Sequence, residues 1–152
     1  MYRARVGDDG LSQLKGLSKL EHLPLGETRV TDAGLVHLVD LRRLTSLGLR
    51  GDRITDAGLR HIGKMTSLTG LNLGQTDLSD QGLAELKPLV RLKKLWLNGN
   101  HITDAAISTL AKFDSMEDLY LFRTDMTIEG VRELKRLRPG CRIYYRSDQE
   151  PE

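Results

Sequence analysis

Apolar residues recur along this chain with two alternating spacings, and the whole pattern repeats every 24 residues. In one part of each unit they occur every three or four positions, as at Leu59, Ile62 and Met65, which predicts an apolar stripe along a short helix. The pattern then changes to alternation, as at Leu71 and Leu73, which predicts a short strand with one buried face. Each unit is therefore expected to contain one helix and one strand.

A short motif marks the start of each unit. Residues 54–59 read Ile-Thr-Asp-Ala-Gly-Leu, and related copies begin at positions 30, 78 and 102, with weaker copies at 6 and 126. A fixed period of this length, held without an insertion, is typical of a repeat array. In such an array each unit packs on its neighbours and the core is a continuous stripe.

The polar residues of the motif lie where each helix should begin. A hydroxyl there can accept a hydrogen bond from the first free N–H groups, and an aspartate in the first turn is favoured by the helix dipole. We therefore interpret them as capping residues: Thr31, Thr55, Ser79, Thr103 and Thr127, with Asp32, Asp56, Asp80 and Asp104. The small residue that follows, glycine in most units and Ala106 in one, should allow close approach of the neighbouring helix.

The connections determine the architecture. Strands joined through helices must run parallel. Neighbouring strands lie about 4.8 Å apart, whereas packed helices need roughly 8–10 Å, so the stack must curve with the strands inside. The predicted fold is an α/β horseshoe with a six-stranded parallel sheet on the concave face and short helices on the convex face. We expect one domain over residues 1–146 and a polar tail over 147–152.

Residues 92–102, Leu-Lys-Lys-Leu-Trp-Leu-Asn-Gly-Asn-His-Ile, resemble the leucine-rich repeat. The Ile-Thr-Asp-Ala-Gly-Leu segment is similar to the helix-bearing subtypes of bacterial multi-repeat proteins and of F-box substrate receptors. The resemblance covers about residues 6–146 and implies a right-handed solenoid, while it leaves the ligand open. The turn asparagine of the family occurs only as Asn100. The other units have a residue that could still bond the turn: Thr28, Asp52, Thr76 and Thr124.

The two ends of the array differ. The first unit has Gly7 at the capping position and Gly16 inside its helix, so this helix should be the weakest. Its apolar edge lacks the polar cap that terminal repeats need, so we expect either further repeats or a homodimer there. At the other end, residues 127–138 predict a longer charged helix that stops at Pro139-Gly140, and residues 142–145 predict a last strand. This end should close the array.

Composition narrows the setting. Cys141 is the only cysteine, which excludes an internal disulfide and fits a reducing compartment. No signal peptide or membrane-spanning run is present, so a cytoplasmic protein is expected. The net charge of +2 gives no reason to expect nucleic acid or a membrane as partner. Arg5, Arg29 and Arg53 occupy one turn position in successive units. We interpret them as solvated charge, and the alternative is a contact with an acidic protein or a phosphate backbone.

Catalytic motifs are missing from the sequence. There is no phosphate-binding glycine loop, nucleophile elbow or paired metal ligand. His37 and His61 are equivalent positions on neighbouring helices, roughly 8–10 Å apart, too far to share a zinc ion. Glu117 and Asp118 are adjacent in a strand and face opposite ways. We therefore expect a non-enzymatic protein without cofactor or metal.

The inner wall carries the variation between units, because equivalent strand positions stand side by side there. One row is Pro24, Gly48, Asn72, Trp96, Tyr120 and Tyr144. The row before it is His22, Ser46, Gly70, Lys94, Asp118 and Arg142, and the row after it is Gly26, Arg50, Gly74, Asn98, Phe122 and Arg146. The aromatic residues fall in the last three units.

Exposed aromatic residues with arginine nearby are typical of interface hot spots. The sequence therefore predicts a surface for a protein or peptide partner formed by Trp96, Tyr120, Phe122 and Tyr144, with a polar rim of Lys94, Asp118 and Arg146 and with Asn72, Asn98 and Arg50 beside it. One alternative is that the rings only stabilise the sheet by packing on each other. Others are a structural or self-associating segment of a longer repeat protein, or a recognition domain appended to an enzyme.

Overall fold

The computed structural model describes residues 4–145, which form six consecutive repeats of strand and helix. Six three-residue strands make one parallel sheet in the order β1 to β6. Their bounds are β1 His22–Pro24, β2 Ser46–Gly48, β3 Gly70–Asn72, β4 Lys94–Trp96, β5 Asp118–Tyr120 and β6 Arg142–Tyr144. Each residue pairs with the one 24 positions later, such as Leu47 with Leu71, which confirms the predicted register. The architecture is the predicted horseshoe solenoid.

Helical segments return the chain on the other side of the sheet. Four are α-helices: α1 Asp8–Ser12, α2 Asp56–Ile62, α3 Ile107–Leu110 and α4 Ile128–Leu137. The others are 3₁₀ helices over Asp32–Leu38, Gly82–Leu86 and Asp104–Ala106. The predicted helices thus form in every unit, but half of the units use the tighter 3₁₀ turn. Over so few residues a spacing of three or four positions fits either geometry.

The core is a leucine stripe between sheet and helices. Ile54 of the motif, Leu59 of the helix, Leu71 of β3 and Leu73 just after it are all inaccessible to solvent. Most of their equivalents in the other units are similarly buried, whereas Val6, Ile107 and Ile143 are partly buried against the core. Removing that much apolar surface from water is the main favourable contribution to folding. It also fixes which strand positions face outward, because successive strand side chains alternate.

The predicted caps are confirmed at Thr31, Thr55, Thr103 and Thr127. In the fourth unit the 3₁₀ helix begins at Gly82 after an N-cap residue, Gln81, without a side-chain cap bond, so Ser79 and Asp80 precede the helix. Thr31, Thr55 and Thr103 each accept a hydrogen bond from the N–H two residues later, Ser79 does the same from Gln81, and Thr127 accepts from Gly130. Gly7 provides no side-chain cap for α1, as expected for the first unit.

Each motif aspartate also has a role that the cap interpretation did not include. Its carboxylate accepts two hydrogen bonds from the capping residue of the next unit. Asp32, for example, accepts from the Thr55 backbone N–H at 2.9 Å and from the Thr55 hydroxyl at 2.7 Å. The pairs are Asp8–Thr31, Asp32–Thr55, Asp56–Ser79, Asp80–Thr103 and Asp104–Thr127. Consecutive units are therefore joined by charge-assisted hydrogen bonds.

The turn after each strand has its own polar row. Buried Asn100 donates to the carbonyls of Leu73 and Leu97 and accepts from the Thr76 hydroxyl and the Leu78 N–H. The Thr76 hydroxyl also lies 2.8 Å from the Leu73 carbonyl, so its one hydrogen is shared between this carbonyl and Asn100 Oδ1. A threonine thus bonds the turn at the asparagine position, as predicted. Every polar group of the Asn100 side chain is thus used inside the solenoid, which is what a buried amide requires.

The C-terminal unit matches its prediction closely. Thr127 caps α4, which ends at Leu137 before Pro139, and β6 follows. Arg146 and the tail over 147–152 lie outside the described residues, so their assignment, like the division into one domain and a tail, stays a prediction.

Candidate functional site

The register of the last three strands places three aromatic side chains in one line on the concave face. Trp96 of β4 is beside Tyr120 of β5, which is beside Tyr144 of β6. The leucines that flank Trp96 and Tyr120 are buried in the core, and Ile143 and Tyr145 beside Tyr144 pack against it. Because side chains alternate along a strand, the three rings project from the opposite face. We call the three rings the aromatic ridge.

The rings of the aromatic ridge stack on one another. The Trp96 and Tyr120 centroids are 5.0 Å apart with planes 9° from parallel, and the Tyr120 and Tyr144 centroids are 4.4 Å apart at 6°. Phe122 approaches from the next row, 6.5 Å from Tyr120 and tilted by 43°. Trp96, Tyr120 and Phe122 are partly exposed, and Tyr144 is 36 % exposed. The predicted cluster is thus an ordered row with one side in solvent.

Asp118 differs from the expectation of an exposed rim residue, since its side chain is only 2 % exposed. Arg142 covers it with a bidentate ion pair, Nε to Oδ1 at 2.6 Å and Nη2 to Oδ2 at 2.8 Å. Lys94 Nζ lies 3.6 Å from Oδ2, and the Tyr144 hydroxyl donates to Oδ1 at 3.4 Å. The buried Asp118 carboxylate therefore holds the side chains of Arg142, Lys94 and Tyr144 in place at the surface.

These contacts alter two ionisation equilibria. The Arg142 hydrogen bonds, against the opposing effect of burial, lower the pKa of the Asp118 carboxyl, and the charge of Lys94 adds to this. Burial raises the pKa of the Tyr120 hydroxyl, and the negative charge of Asp118 raises it further. At neutral pH the surface accordingly combines the ionised Asp118 carboxylate with the neutral Tyr120 phenol.

A shallow cavity of about 380 Å³ lies on the other side of the aromatic ridge. The rings of Trp96 and Phe122 contribute to its wall, and Arg50 and Arg123 contribute two cations. Its amide-bearing lining residues are Asn72, Gln75 and Asn98. The structure thus brings the predicted residues Asn72, Asn98 and Arg50 together around Trp96.

The amides of this cavity are fixed by the backbone. Asn98 Oδ1 accepts from the Phe122 N–H at 3.0 Å, and Asn72 Oδ1 accepts from the Gly74 N–H at the same distance. Arg50 Nε donates to Gln75 Oε1 at 2.8 Å. The cavity is therefore preorganised, because its polar side chains are already held in place.

The concave face over β2 and β3 carries mostly small side chains. Gly48, Gly70 and Ser46 project little from the sheet, and with Trp96 they line a second depression of about 270 Å³. The aromatic ridge thus rises beside an open floor, and a ligand could lie along the sheet against it.

Arg142, Arg123 and Gln75 are not among the partner-binding residues predicted from the sequence. Arg142 was in the predicted inner row, and its spacing of 24 residues from Asp118 is a signal for the pair. Arg123 and Gln75 come after the strands in turns with positive φ, 54° and 55°. Strand alternation does not predict the direction of such side chains.

Within residues 4–145 no cluster of three or more histidine, cysteine or acidic side chains could hold a metal ion. None of the helices there is long and apolar enough to cross a membrane.

Comparison with known proteins agrees with this architecture. A sequence model described as Leucine Rich repeat matches residues 64–87 and 92–111. No curated protein sequence matches the chain.

Three solved structures of similar shape are bacterial. An internalin (inlF) of Listeria monocytogenes is 24% identical with a TM-score of 0.73, over 91% of this chain and 38% of that one. A leucine-rich-repeat protein of Leptospira interrogans is 22% identical with a TM-score of 0.65, over 88% of this chain and 32% of that one. Internalin C2 (inlC2) of L. monocytogenes is 17% identical with a TM-score of 0.58, over 95% of this chain and 78% of that one.

The chain thus spans only about a third of the length of the first two structures, 38% and 32%. At these identities the likeness concerns the fold. Together with the two matched segments and the six-stranded parallel solenoid, it shows that this chain has the fold of leucine-rich-repeat proteins.

Proposed function

We propose that this chain is a non-enzymatic scaffold that binds a protein or peptide partner on its concave face, at the aromatic ridge. Leucine-rich-repeat folds generally serve as scaffolds for protein–protein interaction. The observation that carries the proposal for this chain is the stack of Trp96, Tyr120 and Tyr144, which keeps three large rings at a solvent-facing surface.

Rigidity is one reason why these rings suit binding. Association costs conformational entropy for each side chain that it immobilises. Here neighbouring rings already restrict each other, and the Tyr144 hydroxyl is bonded to buried Asp118. A partner that docks on the aromatic ridge would therefore gain aromatic contact area at low entropic cost.

Sheet stabilisation is the competing explanation of the same rings. Cross-strand aromatic pairs do stabilise a sheet, and the observed stacking supports that role as well. Packing alone does not account for the amides and arginines assembled beside Trp96 around the 380 Å³ cavity. Binding accounts for both groups of residues together.

The experiment uses Trp96, the only tryptophan of the chain, as a reporter on the aromatic ridge. Dodecapeptides are selected on the immobilised protein from an unbiased display library and titrated while Trp96 emission is recorded. The selected peptides should change the emission. Tyr120→Ala should weaken binding by about tenfold or more, as expected for a hot spot.

Val36→Ala is the matched control, because Val36 is an exposed apolar residue of the helical side, 47 % exposed. It should leave the affinity unchanged, and circular dichroism should show both variants folded. Peptides that bind Tyr120→Ala as tightly as the parent protein would refute the proposed site.

Self-association is a second candidate, favoured by Leu17 in the first unit, which is 49 % exposed. Leu14 and Leu20 are partly buried against the core beside it. Sedimentation equilibrium of the parent chain and of the Leu17→Ser variant tests this function. A dimeric parent that Leu17→Ser converts to a monomer supports self-association. A monomeric parent excludes it.

A further inference from the structure

We propose that the partner segment on the concave face is an acidic extended peptide that crosses the strands, with its carboxylates placed against cations on both sides of the aromatic ridge. This inference rests on the proposed function and specifies the chemistry of the ligand.

The charges of the surface are unbalanced. In the three inner-wall rows between residues 22 and 144, Asp118 is the only carboxylate, and it is buried beneath Arg142. Lys94 and Arg142 stand on one side of the aromatic ridge, with about half or more of each side chain exposed. Arg50 and Arg123 stand on the other side and are exposed. The row of Arg123 also holds Glu27, so four cations are accompanied by two carboxylates, of which Asp118 is already paired with Arg142.

The nearby acidic side chains do not balance these cations. Glu117 pairs with Lys93 at 2.8 Å, and Glu21 pairs with Arg43 at 2.7 Å, both at the edge of the sheet. Glu27 lies beside Arg50, whose carbonyl accepts a hydrogen bond from the Glu27 N–H at 2.6 Å. It is four strands away from Arg123, roughly 19 Å at the usual strand spacing. One carboxylate beside Arg50 therefore leaves the other cations of the surface in excess. A ligand with negative charge would therefore find complementary potential along the aromatic ridge.

The orientation of the rings favours the same chemistry. Tyr120 has a parallel ring on each face, so only its edge reaches solvent. The edge of an aromatic ring carries the positive part of its quadrupole. Carboxylate and peptide carbonyl oxygens are thus better neighbours for the aromatic ridge than cationic groups are.

The same stacking argues against single-stranded nucleic acid as the anionic ligand. Such ligands bind by stacking bases on free aromatic faces. Here both faces of Tyr120 and the inner faces of Trp96 and Tyr144 are occupied.

The cavity beside Trp96 has the features of a pocket for one acidic side chain. Gln75 holds Arg50 through its Nε at 2.8 Å, and a guanidinium has further N–H donors to offer a carboxylate. Arg123 lines the same cavity, and the Trp96 and Phe122 rings form the apolar part of its wall. A charge-assisted hydrogen bond is stronger in such a partly desolvated position than in open solvent.

The test uses the dodecapeptides selected from the unbiased library. Aspartate and glutamate should be enriched among them relative to the starting library. Versions with Asn and Gln in place of Asp and Glu should bind at least about tenfold more weakly, and the parent affinity should fall as salt rises. Arg50→Gln with Arg123→Gln should weaken binding roughly tenfold.

Arg60→Gln is the matched control, since Arg60 is an exposed arginine of α2 that lies outside the inner wall. It should bind like the parent, and thermal unfolding should show all variants folded. A dodecamer of uridylate, titrated in parallel, should bind more weakly than the selected peptides.

Each remaining outcome contradicts a defined part of the account. Two results would refute the acidic ligand while leaving the concave site supported. In the first, the selected peptides change Trp96 emission but are not enriched in acidic residues. In the second, they bind the double arginine variant as tightly as the parent protein. Tighter binding of the uridylate dodecamer overturns it in favour of nucleic acid. Peptides that never perturb Trp96 refute the proposed function itself.

Discussion

Asp32 and Thr55 are joined by two hydrogen bonds across the boundary between repeats, with 2.9 Å from the Thr55 nitrogen to Asp32 Oδ1 and 2.7 Å from the Thr55 hydroxyl oxygen to Oδ2. Thr55 in turn accepts from the Ala57 N–H and so caps α2. The aspartate of one unit therefore holds the cap of the next. Because five such pairs follow one another, the motif couples neighbouring units in addition to starting each helix.

This relationship predicts the effect of removing one carboxylate. Asp56→Ala leaves the Ser79 N–H and hydroxyl without their acceptor, and we expect a loss of about 1–3 kcal/mol in the free energy of unfolding. Urea denaturation measures it. Asp40→Ala, at an exposed aspartate outside the motif, is the control and should change stability by less than about 0.5 kcal/mol. Equal effects of the two substitutions would show that the inter-repeat bonds contribute nothing.

The motif glycine should be coupled to the same aspartate. A Cβ at Gly58 would overlap with Asp32 Oδ1 and come 3.0 Å from Leu35 Cδ1. Gly58→Ala should therefore destabilise by about 1–3 kcal/mol. Asp32→Ala removes the overlap with the carboxylate and leaves the Leu35 contact, so the double variant should lose less than the sum of the single losses. Strict additivity in urea denaturation would contradict this explanation.

Ala106 shows how one unit accommodates the extra carbon. It occupies the glycine position and is buried, yet Asp80 still accepts from the Thr103 N–H at 2.8 Å and the Thr103 hydroxyl at 2.6 Å. If Ala106 clashed with Asp80, Ala106→Gly would raise the free energy of unfolding. We expect little or no such increase when it is measured by urea denaturation.

Asp52 predicts a pH dependence with a defined sign. Burial raises the pKa of its carboxyl from 3.8 to about 6, although hydrogen bonds from Thr28 oppose the shift. The folded protein therefore binds this proton more tightly than the unfolded chain between about pH 4 and 6. Its contribution is fully present at low pH and is lost as pH rises through that window, up to about 3 kcal/mol.

Asp52→Asn isolates this contribution. Asn100 at the equivalent position donates its amide to two carbonyls, and the amide introduced by the substitution should do the same at every pH. The stability difference between variant and parent should favour the variant increasingly from pH 4 to pH 7, measured by urea denaturation at each pH. A difference that does not change with pH would show that Asp52 titrates normally.

Stacking in the aromatic ridge should be measurable as a coupling energy. Trp96→Ala and Tyr120→Ala each remove one member of a pair whose centroids are 5.0 Å apart. In a double-mutant cycle we expect a coupling of about 0.5–1.5 kcal/mol. A value near zero would mean that the rings are neighbours without mutual stabilisation, and it would weaken the claim that the aromatic ridge is preorganised.

The repeat register, the buried positions and the caps could be predicted because each follows from a spacing along the chain. Leu71 and Leu73 must face the core if the strand alternates, and Thr55 must start a helix if apolar spacing changes there. The same spacing is enough to place Trp96 and Tyr120 side by side on the inner wall, because they are 24 residues apart.

Other features depend on contacts that a one-dimensional pattern does not contain. Alternation correctly put Asp118 on the inner wall, but only the reach of the Arg142 side chain buries it. Arg123 comes to the surface through a turn residue with positive φ. The hydrogen bond of Asp32 to Thr55 in the next repeat, at 2.7 Å, depends on the distance between neighbouring repeats in the folded solenoid.

The central claim is that the concave face, at the aromatic ridge, is the binding surface. Its most direct measurement is a two-dimensional ¹H–¹⁵N spectrum of the labelled chain during titration with a peptide selected from the unbiased library. The account predicts that the amides that shift lie in β4, β5 and β6 and in the turns around Asn98 and Arg123. Shifts confined to α2, α4 and the other helical segments, with the strands unchanged, would contradict it.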